Sequence, residues 1–155
     1  MTQSTETWKK VSLLAMAGGL GFWLANLAIS LTPMATEYRE ALSISYLPML
    51  FEALLGGLLI GFCVSYCLLR FFDKIPTQNP ILKSVILSFI VLLVVTLLIE
   101  APAKFLTPTS DAWRYFLFGA IFNVLRFLAL GISIGYLYKR LDTGFTVSAS
   151  ASKTT

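Results

Sequence analysis

The chain has 155 residues, 57 % of them hydrophobic and only 13 % charged, with a formal net charge of +4 and no histidine. A soluble domain carries about 25 % charged residues, so this composition argues against an ordinary soluble fold and points to a membrane protein. Without histidine the commonest general base and metal ligand is missing, and no G-x-S-x-G, Walker A or dinucleotide fingerprint occurs. The reading is of a chain that is not an enzyme, an integral membrane enzyme ranking third among the alternatives, with no cofactor and no metal site.

Hydropathy divides the chain into a cytoplasmic amino-terminal segment at 1–10, one transmembrane domain at 11–142, and a tail. The fold class is all-α: a polytopic membrane protein built as a four-transmembrane-helix bundle, with spans at about 11–31, 46–70, 81–100 and 113–138. Each is long enough to cross a hydrocarbon core about 30 Å thick at about 1.5 Å per residue.

The first span follows Lys9 and Lys10 and outruns the roughly 7–15 apolar residues of a secretory signal, so it is expected to be retained. Ala15, Gly19, Asn26 and Ser30 line one of its sides, and Pro33 stops or bends its outer end. From Met34 to Leu42, with Glu37, Arg39 and Glu40, the chain suggests a short interfacial helix on the outer surface. In the second span Glu52, Gly56, Leu59, Cys63 and Cys67 share a side, while Gly57 and Gly61 form a G-x-x-x-G on another. Pro48 is tolerated in the first turn of that span. The two cysteines are spaced C-x-x-x-C and read as small packing residues, not as a redox pair.

Asn79-Pro80 marks a helix start, with Asn79 as cap and Pro80 in the first turn. The third span has no glycine and is expected at the periphery, with Ser84 and Ser88 its polar exceptions. Glu100 ends it as a hydrated carboxylate at the outer surface, and Pro102 follows. Ser110-Asp111 can cap the fourth span. There Tyr115, Gly119, Asn123, Arg126, Leu130 and Ser133 share a side, and Gly131 and Gly135 form a second G-x-x-x-G roughly opposite. Trp8, Tyr46, Trp113 and Tyr138 stand where interfacial aromatic rings prefer to lie. The tail at 143–155 is small and polar and is expected to be disordered.

Of the 12 bases, Lys9, Lys10, Arg70, Lys74, Lys83, Lys139, Arg140 and Lys153 fall at one end of the four spans. Arg39, Lys104 and Arg114 fall at the other, and Arg126 lies within the fourth span. This bias places both termini in the cytoplasm of a cell (inner) membrane, an N-in/C-in topology. It also makes the net charge a topology signal and an attraction to anionic lipid headgroups, not a nucleic-acid footprint.

Arg126 and Glu52 are opposite charges inside apolar spans, where ionisable groups are costly and must be retained for a reason. At about 1.5 Å per residue Asn26 and Glu52 both fall roughly 6–7 Å to the outer side of the midplane. Asn123 lies one turn outward of Arg126, so the four are expected to form one polar layer. Two readings follow. In the first, the layer is the site of a small oligomeric transporter or channel for an ion or small polar solute. In the second, Glu52 and Arg126 are a structural ion pair in a non-transporting membrane subunit or assembly factor. Both readings expect the lipid bilayer and a homo-oligomer or larger membrane complex as partners, with no nucleic acid.

Overall fold

The structure is a computed structural model that describes residues 2–106 and 111–151. Six α-helices account for most of them: α1 Thr2–Ser30, α2 Pro33–Ala41, α3 Tyr46–Phe71, α4 Pro80–Val95, α5 Ala101–Leu106 and α6 Ala112–Ala151. Among the described residues there is no strand. Four stretches are long and apolar enough to cross a membrane: Thr5–Ser30, Tyr46–Lys74, Pro80–Ala103 and Ala112–Leu141.

Local chemistry sets most of the helix ends. Thr32 caps α2, its side chain accepting from the Ala35 N–H at 3.3 Å, and Pro33 occupies the first turn, where a missing N–H costs nothing. Asn79 and Pro80 do the same for α4, with the Ile81 N–H 3.0 Å from the asparagine oxygen. The end of α2 is a wrapped turn: the Ile44 N–H returns to the Arg39 carbonyl at 2.8 Å, which requires Ser43 to adopt φ 52°. Lys83, counted above only as a topology base, is buried; its ammonium donates to the Phe72 carbonyl at the end of α3 and lies 3.6 Å from the Phe72 ring centroid. A cation there satisfies a carbonyl the helix leaves unpaired. At the carboxyl end, α6 continues to Ala151 past Asp142, where a disordered tail is expected; Thr143–Ala151 contains no proline to stop it. Ser110 and 152–155 lie outside the described residues.

The helices alternate in direction; α1 packs against both α3 and α6, α6 also packs against α4, and α3 touches α4 as well. Backbones approach closely where glycine permits. A Cβ on Gly61 would stand 2.8 Å from the Ala15 carbonyl, and one on Gly57 3.1 Å from the Gly19 carbonyl, so α3 meets α1 there. Gly131 and Gly135 receive α4: their Cβ atoms would fall against Val85 and Ile81 backbone, and the Ser84 hydroxyl donates to the Gly131 carbonyl. Ser84 and Ser88 are fully buried in this contact, so α4 turns its polar atoms inward and its apolar surface outward.

The apolar interior is split. A larger cluster (Leu14, Phe22, Val64, Leu68, Leu92, Phe127, Leu130 and Ile134) fills the basic end, and a smaller one of Ile29, Ala35 and Phe122 fills the far end. Asn26 stands between Phe22 and Ile29 on α1, about one turn from each. Asn123 and Arg126 stand between Phe122 and Phe127 on α6. A polar layer therefore separates the two clusters.

Candidate functional site

Arg126 is half-buried within an apolar helix and donates from Nη1 to Asn123 Oδ1 at 3.0 Å. Spacing of three along α6 puts the two side chains on one side of the helix. Asn123 is only 6 % exposed and Asn26 1 %, so both amides have left solvent. Among the described residues, three buried side-chain atoms have no hydrogen-bond partner: Arg126 Nε and Asn26 Nδ2 in this layer, and Ser65 Oγ on α3 outside it. An unpaired buried donor costs about 1–3 kcal/mol, so two of them in one layer call for an explanation.

Tyr38 and then Glu100 are the groups in electrostatic reach of Arg126. Both converge on Gly119, one turn outward of Asn123: a Cβ there would lie 3.1 Å from the Tyr38 hydroxyl and 3.7 Å from Glu100 Oε2. Tyr38 comes from α2, held edge-on against Phe122 and Tyr115 with ring centroids 5.6 and 6.3 Å apart. Burial pushes its phenol up to about 12, the Glu100 carboxylate adds to this, and Arg126 opposes it. A 2.5 Å ion pair between Arg114 and Glu37 fastens α2 to the start of α6 at the exposed rim.

Glu100 reaches this place through a departure from α-helical geometry. Thr96–Glu100 forms a π-turn in which the Ala101 N–H bonds the Thr96 carbonyl five residues back. Pro102 accounts for it, because proline cannot donate to the Leu98 carbonyl and its ring clashes with it in a regular helix. In an uninterrupted helix the inward face of Ser84, Ser88 and Leu92 would continue to Ile99, two turns on. The wider turn takes up one extra residue and moves that place to Glu100. Accordingly Ile99 is 62 % exposed while Glu100 is half-buried.

Of the four residues expected in one layer, Glu52, Arg126, Asn26 and Asn123, three share a level of the fold and one does not. Asn26, Asn123 and Arg126 lie between the two apolar clusters; Glu52 is exposed on the outer side of α3, and Glu100, expected as a hydrated surface carboxylate, takes the acidic position. The physical reason is the face of α3 that packs. Gly57, Gly61, Val64, Ser65 and Leu68 are buried, and Glu52 stands off that face. Cys63 and Cys67 are free thiols, the first exposed. Among the described residues no three histidine, cysteine, aspartate or glutamate side chains gather as a metal site would require.

No family model, curated protein or solved structure matches the chain significantly. The site must be judged on its chemistry alone. Its donors are a guanidinium, two amides and a phenol, its one carboxylate is Glu100, and two buried donors have no acceptor within the described chain. Such a set can take an added acceptor: a small anion, or an oxygen of a polar solute.

Proposed function

We propose that the chain is a small membrane transporter or channel, working as an oligomer, with both termini cytoplasmic in a cell (inner) membrane. Its polar layer of Arg126, Asn123, Asn26, Glu100 and Tyr38 receives an ion or small polar solute in the outer half of the bilayer. The observation that carries this reading is the pair of unpartnered donors, Arg126 Nε and Asn26 Nδ2, buried beside a charge inside an apolar span. A guanidinium kept only for packing would have its donors occupied. The leftover donors favour a small anion or a solute rich in acceptor oxygens over a bare cation, and Glu100 limits how much negative charge the layer accepts.

The test is flux in proteoliposomes loaded in turn with chloride, acetate and phosphate, comparing the parent chain with Arg126→Gln and Asn26→Leu. Flux of one probe that falls roughly tenfold or more in both folded variants supports the reading. Absence of flux for every probe, or flux unchanged in Arg126→Gln, rejects it in favour of a purely structural polar layer.

A further inference from the structure

At the basic end of the bundle a groove of about 310 Å³ runs between α1 and α3, lined by Thr7, Trp8 and Val11 from one helix and by Tyr66, Leu69 and Arg70 from the other. Steps of three and four residues, from Thr7 or Trp8 to Val11 and from Tyr66 to Leu69 or Arg70, put each set on one side of its helix. The two backbones meet at Ala15 and Gly61, but beyond that point the glycines stop and large rings take over the contact. The Trp8 ring lies nearly flat against Phe62 and Tyr66, with centroids 6.0 and 6.1 Å apart and planes 14° and 20° apart. This stack gives the groove an apolar wall, and Arg70, one turn along α3 from Tyr66, gives it a charge.

Arg70 differs from the other bases of this end. Lys83 donates to the Phe72 carbonyl, so the end of α3 already has its cation. Lys74 lies over the Phe71 ring at 5.4 Å and Arg140 over the Tyr136 ring at 5.3 Å. Among the described residues Arg70 makes no hydrogen bond, ion pair or ring contact, with Glu6 and Asp73 or with any other group. A second groove, between α1 and α6, is lined by Glu6, Lys9, Lys10, Leu13 and Leu141 and so carries its own acid beside its lysines. The Arg70 groove has no acidic residue in its lining. It joins an unopposed planar cation to an apolar wall.

We propose that this groove binds one anionic phospholipid of the leaflet at the basic end, its phosphate on Arg70 and the first carbons of an acyl chain along Trp8, Tyr66 and Val11. Position, charge and shape each favour that occupant. Trp8 stands where the apolar run of α1 begins and Arg70 where that of α3 ends, the level at which tryptophan rings and bases meet headgroups. The guanidinium fork matches two phosphate oxygens at once. A choline or ethanolamine headgroup would bring a further cation beside Arg70, Lys9 and Lys10, whereas a glycerol headgroup brings none. A free phosphate could meet Arg70 but would leave the aromatic wall facing water. The inference is independent of the transport reading: it concerns the end of the bundle away from the polar layer and needs only that the apolar helices cross a membrane.

Native mass spectrometry of the full chain in mild detergent, equilibrated with equal amounts of phosphatidylglycerol and phosphatidylcholine, counts the lipids that each copy retains. The expected result is one phosphatidylglycerol per copy, preferred roughly tenfold over phosphatidylcholine. Arg70→Gln and Lys74→Gln remove the same charge from the same end, but only Arg70 lines the groove. The first should weaken retention roughly tenfold and the second by less than about twofold. Thr7→Trp, at an exposed position, keeps every charge and fills the groove, so it should weaken retention as Arg70→Gln does while unfolding of the chain is unchanged. Equal retention of the two lipids, equal losses in Arg70→Gln and Lys74→Gln, or a Thr7→Trp chain that retains lipid like the parent overturns the proposal. So does release of the lipid by excess inorganic phosphate, which would make the groove a site for a free anion.

Discussion

Arg126 and Glu52 lie in the same half of the bundle, each within a helix apolar enough to cross a membrane, yet the fold treats them differently. Arg126 is turned inward, bonded to Asn123 and within electrostatic reach of Glu100 and Tyr38. Glu52 is turned outward beside a glycine that nothing in the chain approaches. Opposite charges in neighbouring apolar helices suggest a pair, and simple complementarity would join them. Which helix face packs decides otherwise: α3 gives its glycine-and-valine face to α1, and that choice carries Glu52 away. A charge in an apolar helix marks a constraint, but packing determines whether the constraint is met within the chain or beyond it.

The largest expected effect compares glycines on the two faces. Gly135→Leu would drive a side chain into the Ile81 backbone and the Ser84 hydroxyl and should destabilise the chain by about 3 kcal/mol or more. Gly56→Leu should leave the unfolding of the single chain within about 0.5 kcal/mol of the parent. Denaturant unfolding in mild detergent measures both. Equal losses would mean that α3 packs through the Gly56 face inside the chain and would erase the contrast.

A smaller contrast concerns the charges themselves. Arg126→Gln removes the guanidinium that donates to Asn123 Oδ1 within the buried layer, and a loss of about 1–3 kcal/mol is expected. Glu52→Gln should change single-chain stability by less than about 0.5 kcal/mol. If the double change restores what the single changes lose, Glu52 and Arg126 are coupled and the inward-outward division fails.

The sequence makes much of this readable, for identifiable reasons. Long apolar runs, Asn79-Pro80 and Pro33 locate the helices because hydropathy and capping act locally. Arg126 and Asn123 are legible as neighbours because three residues along a helix is a fixed displacement. Glu100 is not legible as their partner: at regular helical spacing Ile99, not Glu100, continues the inward face of α4. The one signal is Pro102, which demands a local adjustment without saying that the adjustment will be a π-turn. Tyr38 is hidden for another reason, since whether α2 folds over the end of α6 depends on tertiary contacts with Phe122 and Tyr115. The outward placement of Glu52 depends on which of two small-residue faces of α3 meets α1, and spacing alone offers both.

Tyr38 and Glu100 supply a test by pH. The Tyr38 phenol is raised from its ordinary value of 10.0 to about 12, so the folded chain holds this proton where the unfolded chain has lost it. Bound protons are then fewer in the unfolded state, and stability falls as pH rises from about 10 to about 12. Tyr38→Phe should remove that part of the slope. Glu100→Gln should lower the phenol toward the ordinary value without reaching it, because burial is the larger cause. Ultraviolet titration of the phenolate, with Tyr38→Phe as the blank, reads both. A titration unchanged by Glu100→Gln would place the carboxylate away from Tyr38 and undo the inward site.

Ser43 lies on the short link between the two regions, carrying the chain from Tyr38 on α2 to Glu52 on α3. Its φ of 52° is in the left-handed region, where a Cβ costs roughly 1–2 kcal/mol and glycine is nearly free of strain. Ser43→Gly should therefore stabilise the chain by up to about 1 kcal/mol, the gain reduced by the greater freedom of glycine in the unfolded state. The Ile44 N–H to Arg39 carbonyl bond closes the same turn and fixes the angle at which α2 meets α3. Ser43→Pro, which cannot adopt that φ, should release α2 and with it Tyr38, bringing the phenol's titration back toward 10.0. A phenol still titrating near 12 in Ser43→Pro would show that the contacts of Tyr38 with Phe122 and Tyr115, and not this turn, hold α2 over α6.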